Sequence, residues 1–423
     1  MPYLWTRQTK GCGIATGGDM KRHGAERARP AGTDADGAPG GEAAVTIRVH
    51  SAIAEIPAAD WDACAGDTNP TLSHVFLNAL EESGSAAPRT GWTPQHLSLA
   101  DSAGRIVGVV PLYAKTHSWG EYVFDYGWAE AYERAGGRYY PKLLCAVPFT
   151  PVPGPRLLLR PDAPAGTQAS LIAGMIELAR QRRVSSLHVN FPHEEDARAL
   201  AQAGFLERLG QQFHWTNEGY RDFDDFLAAL SSRKRKAVKK ERREALAPGI
   251  TIEVLTGSAL LPHHWDAFYR LYLATSDRKW GSAYLNRRFF ALIGKRMADK
   301  IVLVMARDGA RYVGGAFNLL GKDTIYGRNW GSHGDYKFLH FECCYYQAIE
   351  FAIARGLKRV EAGAQGPHKI QRGYLPVPTY SAHWLPDPGF RRAVADYLAR
   401  ERLMTERKMA SLAEFAPFRR EER

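Results

Sequence analysis

The sequence has no hydrophobic run approaching the ~18 residues that cross a bilayer, and its opening MPYLWTRQTKGCGIATGGDM lacks the apolar core of a signal peptide. Both absences point to a cytoplasmic protein. Cysteine is scarce and badly placed for either of its structural uses. Cys12, Cys64, Cys145, Cys343 and Cys344 are odd in number, show no C-x-x-C spacing and include one adjacent pair. They fit a reducing compartment and argue against a zinc site or a disulfide framework. His263 and His264 are adjacent and so lack ligand spacing. There is no G-x-S-x-G, and the GCGIATGG near Gly11 follows no strand. In GAFNLLGKD (Gly315 to Asp323) the glycine spacing is wrong for a phosphate loop, and Asp323 stands where Ser or Thr must reach magnesium. Hydrolase, metalloenzyme, dinucleotide and nucleoside-triphosphate chemistry all lose their usual markers.

What is present is a soluble composition, 45% hydrophobic and 24% charged over 423 residues, long enough for two or three domains. The net charge is +11, and a single stretch supplies six of it: SRKRKAVKKERREA (Ser232 to Ala245) sets eight Lys or Arg against two Glu. The basicity is therefore local, and an anionic partner is to be sought near that stretch. Val238 and Ala245, with Leu230 and Ala237, give it a thin apolar stripe, as in a docked basic helix.

Residues 1–44 are rich in Gly, Ala, Arg and Asp without apolar periodicity, which predicts a disordered leader. Order is expected from VTIRVH (Val45 to His50), and from there the chain reads as a duplication. AADWDACAG (around Trp61) is echoed by PHHWDAFYR (around Trp265), each opening a helix. HLSLADSAGRIVGVVPLY is echoed by IVLVMARDGARYVGGAFNLL, each a strand, a polar turn and a second strand with Val-Gly, at Val107-Gly108 and Val313-Gly314. YVFDYGW (Tyr122 to Trp128) and TIYGRNWG (Thr324 to Gly331) read as third strands. A helix, a strand and a Pro-His turn follow in each copy: SLIAGMIELARQRR, SSLHVNF and Pro192-His193, then HFECCYYQAIEFAIARG, LKRVEAG and Pro367-His368. The expected fold class is α+β: two tandem GNAT-like domains, each a mixed, mostly antiparallel sheet flanked by helices. Their expected bounds are 45–218 and 219–390, with a helical tail over 391–423.

Three segments carry residues suited to chemistry. Arg311 to Ala316 spells R-x-x-G-x-A, a pattern that cradles a coenzyme A pyrophosphate, but it lies inside a strand rather than at a helix N-terminus. The aromatic segment around Tyr126, Trp128 and Arg138 suits either sheet packing or the wall of a ligand site. GRNWGSHGDYKFLHFECCYYQ sets Asp335 and Glu342 near a helix N-terminus, where an anionic substrate or a plain cap would sit. EAGAQGPHKIQRGYLP leaves a strand through glycines and concentrates Gln365, His368, Lys369 and Arg372, side chains able to stabilise an oxyanion or take a proton from an amine.

The halves, the run SSRKRKAVKKERREA then ITIEVL, the segment FYRLYLATSDRKWG and the closing PHKIQRGYLP together resemble the FemABX-like proteins, which carry two GNAT-like domains. The aromatic segment and GAQGPHK look closer to the branch described as peptidoglycan biosynthesis or recognition proteins. Arg235, Val238 and Glu241 stand at the spacing of the family's R-x-x-I-x-x-A, with Glu241 departing from a small apolar residue. His368 to Gly373 stand at its F-K-x-x-F-G, with Lys369 kept and His368 and Arg372 replacing aromatics. The resemblance implies amide-forming acyl transfer without a metal or tightly bound cofactor. The anionic acyl donor, aminoacyl-tRNA or acyl-CoA, is a co-substrate, and the acceptor is an amine, such as one on a peptidoglycan precursor. It implies Lys369 as the oxyanion's cation, with His368 or Asp335 as base. Gln365, Arg372, Glu342, Tyr126, Trp128, Arg138, Arg235, Lys236 and Lys239 are expected to contact substrates. A CoA-dependent N-acyltransferase and a non-catalytic protein binding a cell-wall or nucleic-acid ligand remain the alternatives.

Overall fold

The computed structural model describes residues 45–419 except 248, 280–282 and 364–365. The expected leader therefore lies outside the described residues, as does Gln365. The first half runs β1 (Thr46–His50), α1 (Ala58–Ala65), α2 (His74–Glu82), β2 (Trp92–Pro94), β3 (His96–Ala100), β4 (Ile106–Val110), β5 (Leu112–Lys115), α3 (Tyr126–Arg134), β6 (Lys142–Cys145), β7 (Leu158–Leu159), α4 (Thr167–Gln181), β8 (Leu187–Asn190), α5 (Glu194–Gln202) and β9 (Leu206–Thr216). The second runs α6 (Phe223–Ala229), α7 (Ser232–Leu246), β10 (Ile250–Leu255), α8 (Pro262–Lys279), α9 (Arg287–Arg296), β11 (Ile301–Asp308), β12 (Arg311–Leu320), β13 (Thr324–Ser332), α10 (Leu339–Phe341), α11 (Gln347–Ala354), β14 (Arg359–Glu361) and β15 (Leu375–Trp384). A long helix, α12 (Pro388–Ala413), follows. Among the described residues no helix is long and apolar enough to cross a membrane.

The repeated Val-Gly pairs have a packing reason. A Cβ on Gly108 would stand 2.9 Å from Leu171 of α4, and one on Gly314 would stand 3.2 Å from Leu339 of α10 and 2.8 Å from Trp330. In each half the glycine lets the following helix lie close against the second strand. Leu171, Ile172, Met175, Leu178 and Ala179 then form the buried stripe of α4, at the 3.6-residue period its sequence displays. Trp265, Phe268, Leu271 and Tyr272 do the same for α8.

The strands form a sheet of four, β1-β3-β4-β7, and one of eleven, β10-β11-β12-β13-β14-β9-β15-β8-β6-β5-β2. Each half contains a short parallel pair: Leu143–Cys145 beside Leu187–Val189 (β6 and β8), and Thr324–Tyr326 beside Arg359–Glu361 (β13 and β14). The last strands are exchanged. The first half's β9 pairs with β14 (His214 opposite Glu361), and the second half's β15 pairs with β8 (Ser381 opposite Asn190). β9 and β15 pair with each other from Leu375/His214 to His383/Leu206. Each half's parallel pair is thus completed by the other half's chain, so the residues at the centre of the sheet come from both.

One expected strand is absent. Tyr122 to Asp125 is irregular and Tyr126 to Arg134 is α3. Gly120 and Tyr122 both have positive φ (80° and 62°), which no extended strand tolerates. The alternation of Tyr122, Phe124, Tyr126 and Trp128 therefore does not define a sheet face, and β6 is the third strand instead.

Candidate functional site

β13 and β14 are hydrogen-bonded for only a few residues and then part. Beyond Glu361 the chain passes Ala362 and Gly363 and returns in a tight 3-10 turn, Pro367–Arg372. The turn lies between Gly366 (φ 117°) and Gly373 (φ 90°), positions where a side chain would be strained. It folds Lys369 back on the strand end, where Nζ donates to the carbonyls of Ala362 (2.5 Å) and Gly363 (2.9 Å). Lys369 is only 2% exposed, and burial pushes its ammonium down to about 8. These carbonyls take two of its three N–H donors.

His368 beside it is exposed, with Nε2 2.9 Å from the Tyr345 hydroxyl and its ring against Phe341. Arg372 is turned inward. Its guanidinium donates to Glu241 (3.1 and 2.8 Å) and to the His368 carbonyl (2.7 Å), and lies 3.4 Å over the Phe341 ring. Glu241 and Arg372, the two charged departures from the family motifs, are therefore partners that fasten α7 to the Lys369 turn. Lys234 adds a second fastening to Gln371.

On β14 itself, Glu361 is 5% exposed and lines a cavity of about 620 Å³ shared by both halves. His214, Asp323, Tyr326 and Arg359 also face that cavity. Burial pushes the Glu361 carboxyl up to about 8, with Arg359 opposing and Asp323 adding to the rise. Oε1 is 3.9 Å from His214 Nδ1 and 3.7 Å from Arg359, while Oε2 has no hydrogen-bond partner among the described residues. Burial holds His214 down at about 3, helped by the charges of Arg359 and Lys369, so its imidazole is neutral. A second cavity of about 460 Å³ is lined by Gly366 and Pro367 of the lysine turn and by Tyr122 and Phe124. Both cavities have Thr379 and Tyr380 of β15 as a wall. Among the described residues no group of three or more His, Cys, Asp or Glu converges as metal ligands.

The other expected site residues are dispersed. Asp335 is exposed on a separate depression with Thr275, Trp330 and His340, and caps no helix, since Phe338 precedes α10 without a side-chain cap. Glu342 is fully buried, clasped by Arg242 at 2.9 to 3.2 Å and by Gln347 at 2.7 Å. Trp128 is buried edge-on to His383 with Arg208 over its face. Tyr126 is exposed beside Phe124, and Arg138 is exposed. On α7, Val238 and Ala245 face inward, whereas Ala237 is exposed and Leu230 precedes the helix. Arg235 is half-buried; Lys236 and Lys239 are exposed, and Lys239 lies 3.4 Å from Asp224. R-x-x-G-x-A lies within β12, paired on both sides.

Sequence reasoning passed over Glu361 and His214, whose signal was a lone charge and a lone imidazole at opposed strand positions. It also passed over a buried ionic cluster in the first half. Lys142 Nζ donates to Ser118 (2.7 Å), Glu121 (2.8 Å) and Asp125, and the Tyr139 hydroxyl donates to Asp125 (2.7 Å). Burial pulls the opposed Lys115 down to about 7 and raises Glu121 to about 7. The only hint was a lysine at the end of each of two apolar strands, LYAK and KLLC.

A family model described as FemAB-like, peptidoglycan biosynthesis/recognition, matches residues 52–420. Among curated proteins none matches by sequence. Among solved structures, FemX is similar over 83% of this chain and 100% of its own, at 11% identity and a TM-score of 0.50. The C-terminal domain of a putative lysylphosphatidylglycerol synthetase from Agrobacterium fabrum is similar over 82% of this chain and 97% of its own, at 10% identity and a TM-score of 0.50. At such identities the likeness establishes the fold.

Proposed function

Because the chain belongs to the FemAB-like family of peptidoglycan biosynthesis and recognition proteins, we propose that it is an N-acyltransferase that forms an amide on an amine-bearing peptidoglycan precursor. The donor that the family resemblance favours is an activated amino acid, as an aminoacyl-tRNA ester. The observation that carries this reading is Lys369. Its ammonium is buried at the parting of β13 and β14, fixed by two main-chain carbonyls, with a third N–H to offer. In acyl transfer the amine attacks the ester carbon and negative charge builds on the carbonyl oxygen. A preoriented cation at that point is worth on the order of 3 kcal/mol in the barrier. Collapse of the tetrahedral intermediate expels the donor hydroxyl, which takes up the second amine proton, and releases the amide.

Acyl-CoA as donor is less favoured, because the R-x-x-G-x-A segment has its amides committed to β12's neighbours rather than open to a pyrophosphate. The outer face of α7, with Arg233, Lys236, Lys239, Lys240 and Arg243 exposed, suits the phosphates of a nucleic-acid donor. The test is to supply charged tRNA or acyl-CoA with an amine-bearing cell-wall precursor and read amide product by mass spectrometry. Product from charged tRNA supports the proposal. Product from acyl-CoA alone overturns the donor, and binding without product from any donor favours a recognition protein.

A further inference from the structure

We propose that the acceptor's amine enters the cavity at the centre of the sheet and that Glu361 takes its proton as the amide bond forms. The inference rests on the acyl-transfer reading for the identity of the second substrate, but the site stands on its own geometry. Glu361 is 95% enclosed by protein at the end of β14, immediately before the two carbonyls that hold Lys369, yet among the described residues its Oε2 has no partner. A buried carboxyl oxygen left unpaired is costly and calls for a donor. Among the described residues the groups around it do not supply one. His214 Nε2 is committed to Gln212 (3.2 Å), which leaves Nδ1, on the Glu361 side at 3.9 Å, as the acceptor nitrogen. Arg359 approaches the other oxygen, Oε1, at 3.7 Å. Asp323 and Tyr326, from the β13 end, and His193, Glu194 and Tyr380, from α5's start and β15, are the other charged and titratable groups that line the cavity. A primary ammonium fits: it is a compact multiple donor, and it would meet Glu361, Asp323 and the neutral His214 in one cavity.

The proton balance is simple. The ammonium gives one proton to the Glu361 carboxylate and becomes a nucleophilic amine, whose nitrogen bonds to the acyl carbon. Glu361 then releases the proton to solvent after the product leaves. A carboxyl raised to about 8 is matched in proton affinity to this task far better than an ordinary one. Burial dominates that rise, so an entering cation should lower it.

The test uses the full chain and n-butylamine as probe, without any acyl donor, so it is independent of whether transfer is observed. In protein labelled with [13C]Glu, a Glu361 carboxyl resonance is expected to titrate near pH 8 and to move to lower pH with n-butylamine but not with n-butanol. Both features should vanish in Glu361→Gln. As a measurement on the unmutated chain, carbodiimide activation at pH 7.5 in the absence of amine, followed by n-butylamine, should place a butylamide on Glu361, because carbodiimide activates protonated carboxyls. An amine-insensitive resonance, or coupling confined to surface carboxylates, overturns the proposal. With a competent donor, Glu361→Gln should lower kcat by about 100-fold or more at neutral pH and remove the rise of rate toward pH 8. Loss of the amine response while transfer persists would overturn this site alone; an intact amine response with no transfer would overturn only the acyl-transfer reading.

Discussion

The two halves build the same parting of parallel strands and finish it in opposite ways. In the first half the exit of β6 and β8 is closed. Gly154 bridges to Pro192, and the fully buried Arg156 spends its donors on the carbonyls of Asn190 (2.8 Å), Val152 (2.7 Å) and Pro155 (3.0 Å). The nearby ionic cluster centres on Lys142, which meets Ser118, Glu121 and Asp125 at once; one oxygen each of Glu121 and Asp125 has no hydrogen-bond partner among the described residues, but neither residue lines either of the two cavities. In the second half the exit of β13 and β14 keeps a lysine with donor capacity, a carboxyl with an unpaired oxygen and a cavity in front of it. A buried carboxylate clasped to a lysine inside the protein is architecture; one with an unpaired oxygen on a cavity wall is available to a substrate. The comparison assigns support to the first parting and chemistry to the second.

The largest effect should come from breaking the support. Lys142→Ala strands Glu121 and Asp125 in the interior, at a cost of about 3–5 kcal/mol. Urea denaturation should show that loss, whereas a lysine not engaged with those carboxylates would cost far less. Next is the opposite behaviour at Glu361. Its folded value, about 8, lies above an ordinary carboxyl's, so the folded chain holds the proton longer than the unfolded one. Stability tied to the neutral form is complete below the ordinary carboxyl value and is lost as pH rises to about 8. Glu361→Gln should therefore gain on the parent across that window by up to about 1.4 kcal/mol per pH unit. Equal pH profiles would place the carboxyl in an ordinary environment. Smaller still is the fastening of the lysine turn. In a Glu241→Ala, Arg372→Ala double-mutant cycle we expect a coupling of about 1–3 kcal/mol, and zero coupling would mean that the turn holds itself. Smallest for folding is the outer face of α7. Lys236→Ala, Lys239→Ala and Lys240→Ala together should leave Tm unchanged, yet flatten the salt dependence of tRNA binding by about one unit of slope per lost phosphate contact. An unchanged slope would make that face merely solvated.

Much of the fold could be read from local pattern. The duplicated order of elements, the α7 helix and the β12 strand all follow from periodicity and turn residues within a dozen positions. The aromatic segment was misleading because alternating aromatics imitate a strand, while the positive φ angles at Gly120 and Tyr122 leave little trace in composition. Strand exchange was illegible for a different reason. Nothing local tells β9 to pair with β14 rather than with β8. The same holds for the site. Lys369 stood in a recognisable run, but Glu361 gains its character from burial in the assembled sheet, with His214 facing it from the exchanged strand and Arg359 beside it on β14. Glu241 and Arg372, each a departure when read alone, explain each other only across 131 residues.

The measurement that most directly tests the division between support and chemistry is amide formation by the Lys369→Ala and Arg156→Lys variants, with charged tRNA and an amine-bearing cell-wall precursor. Mass-spectrometric product yield would be normalised to the folded fraction. A loss of about 100-fold or more is expected at Lys369, and near-parental turnover per folded molecule at Arg156. Full turnover without Lys369 would contradict that division.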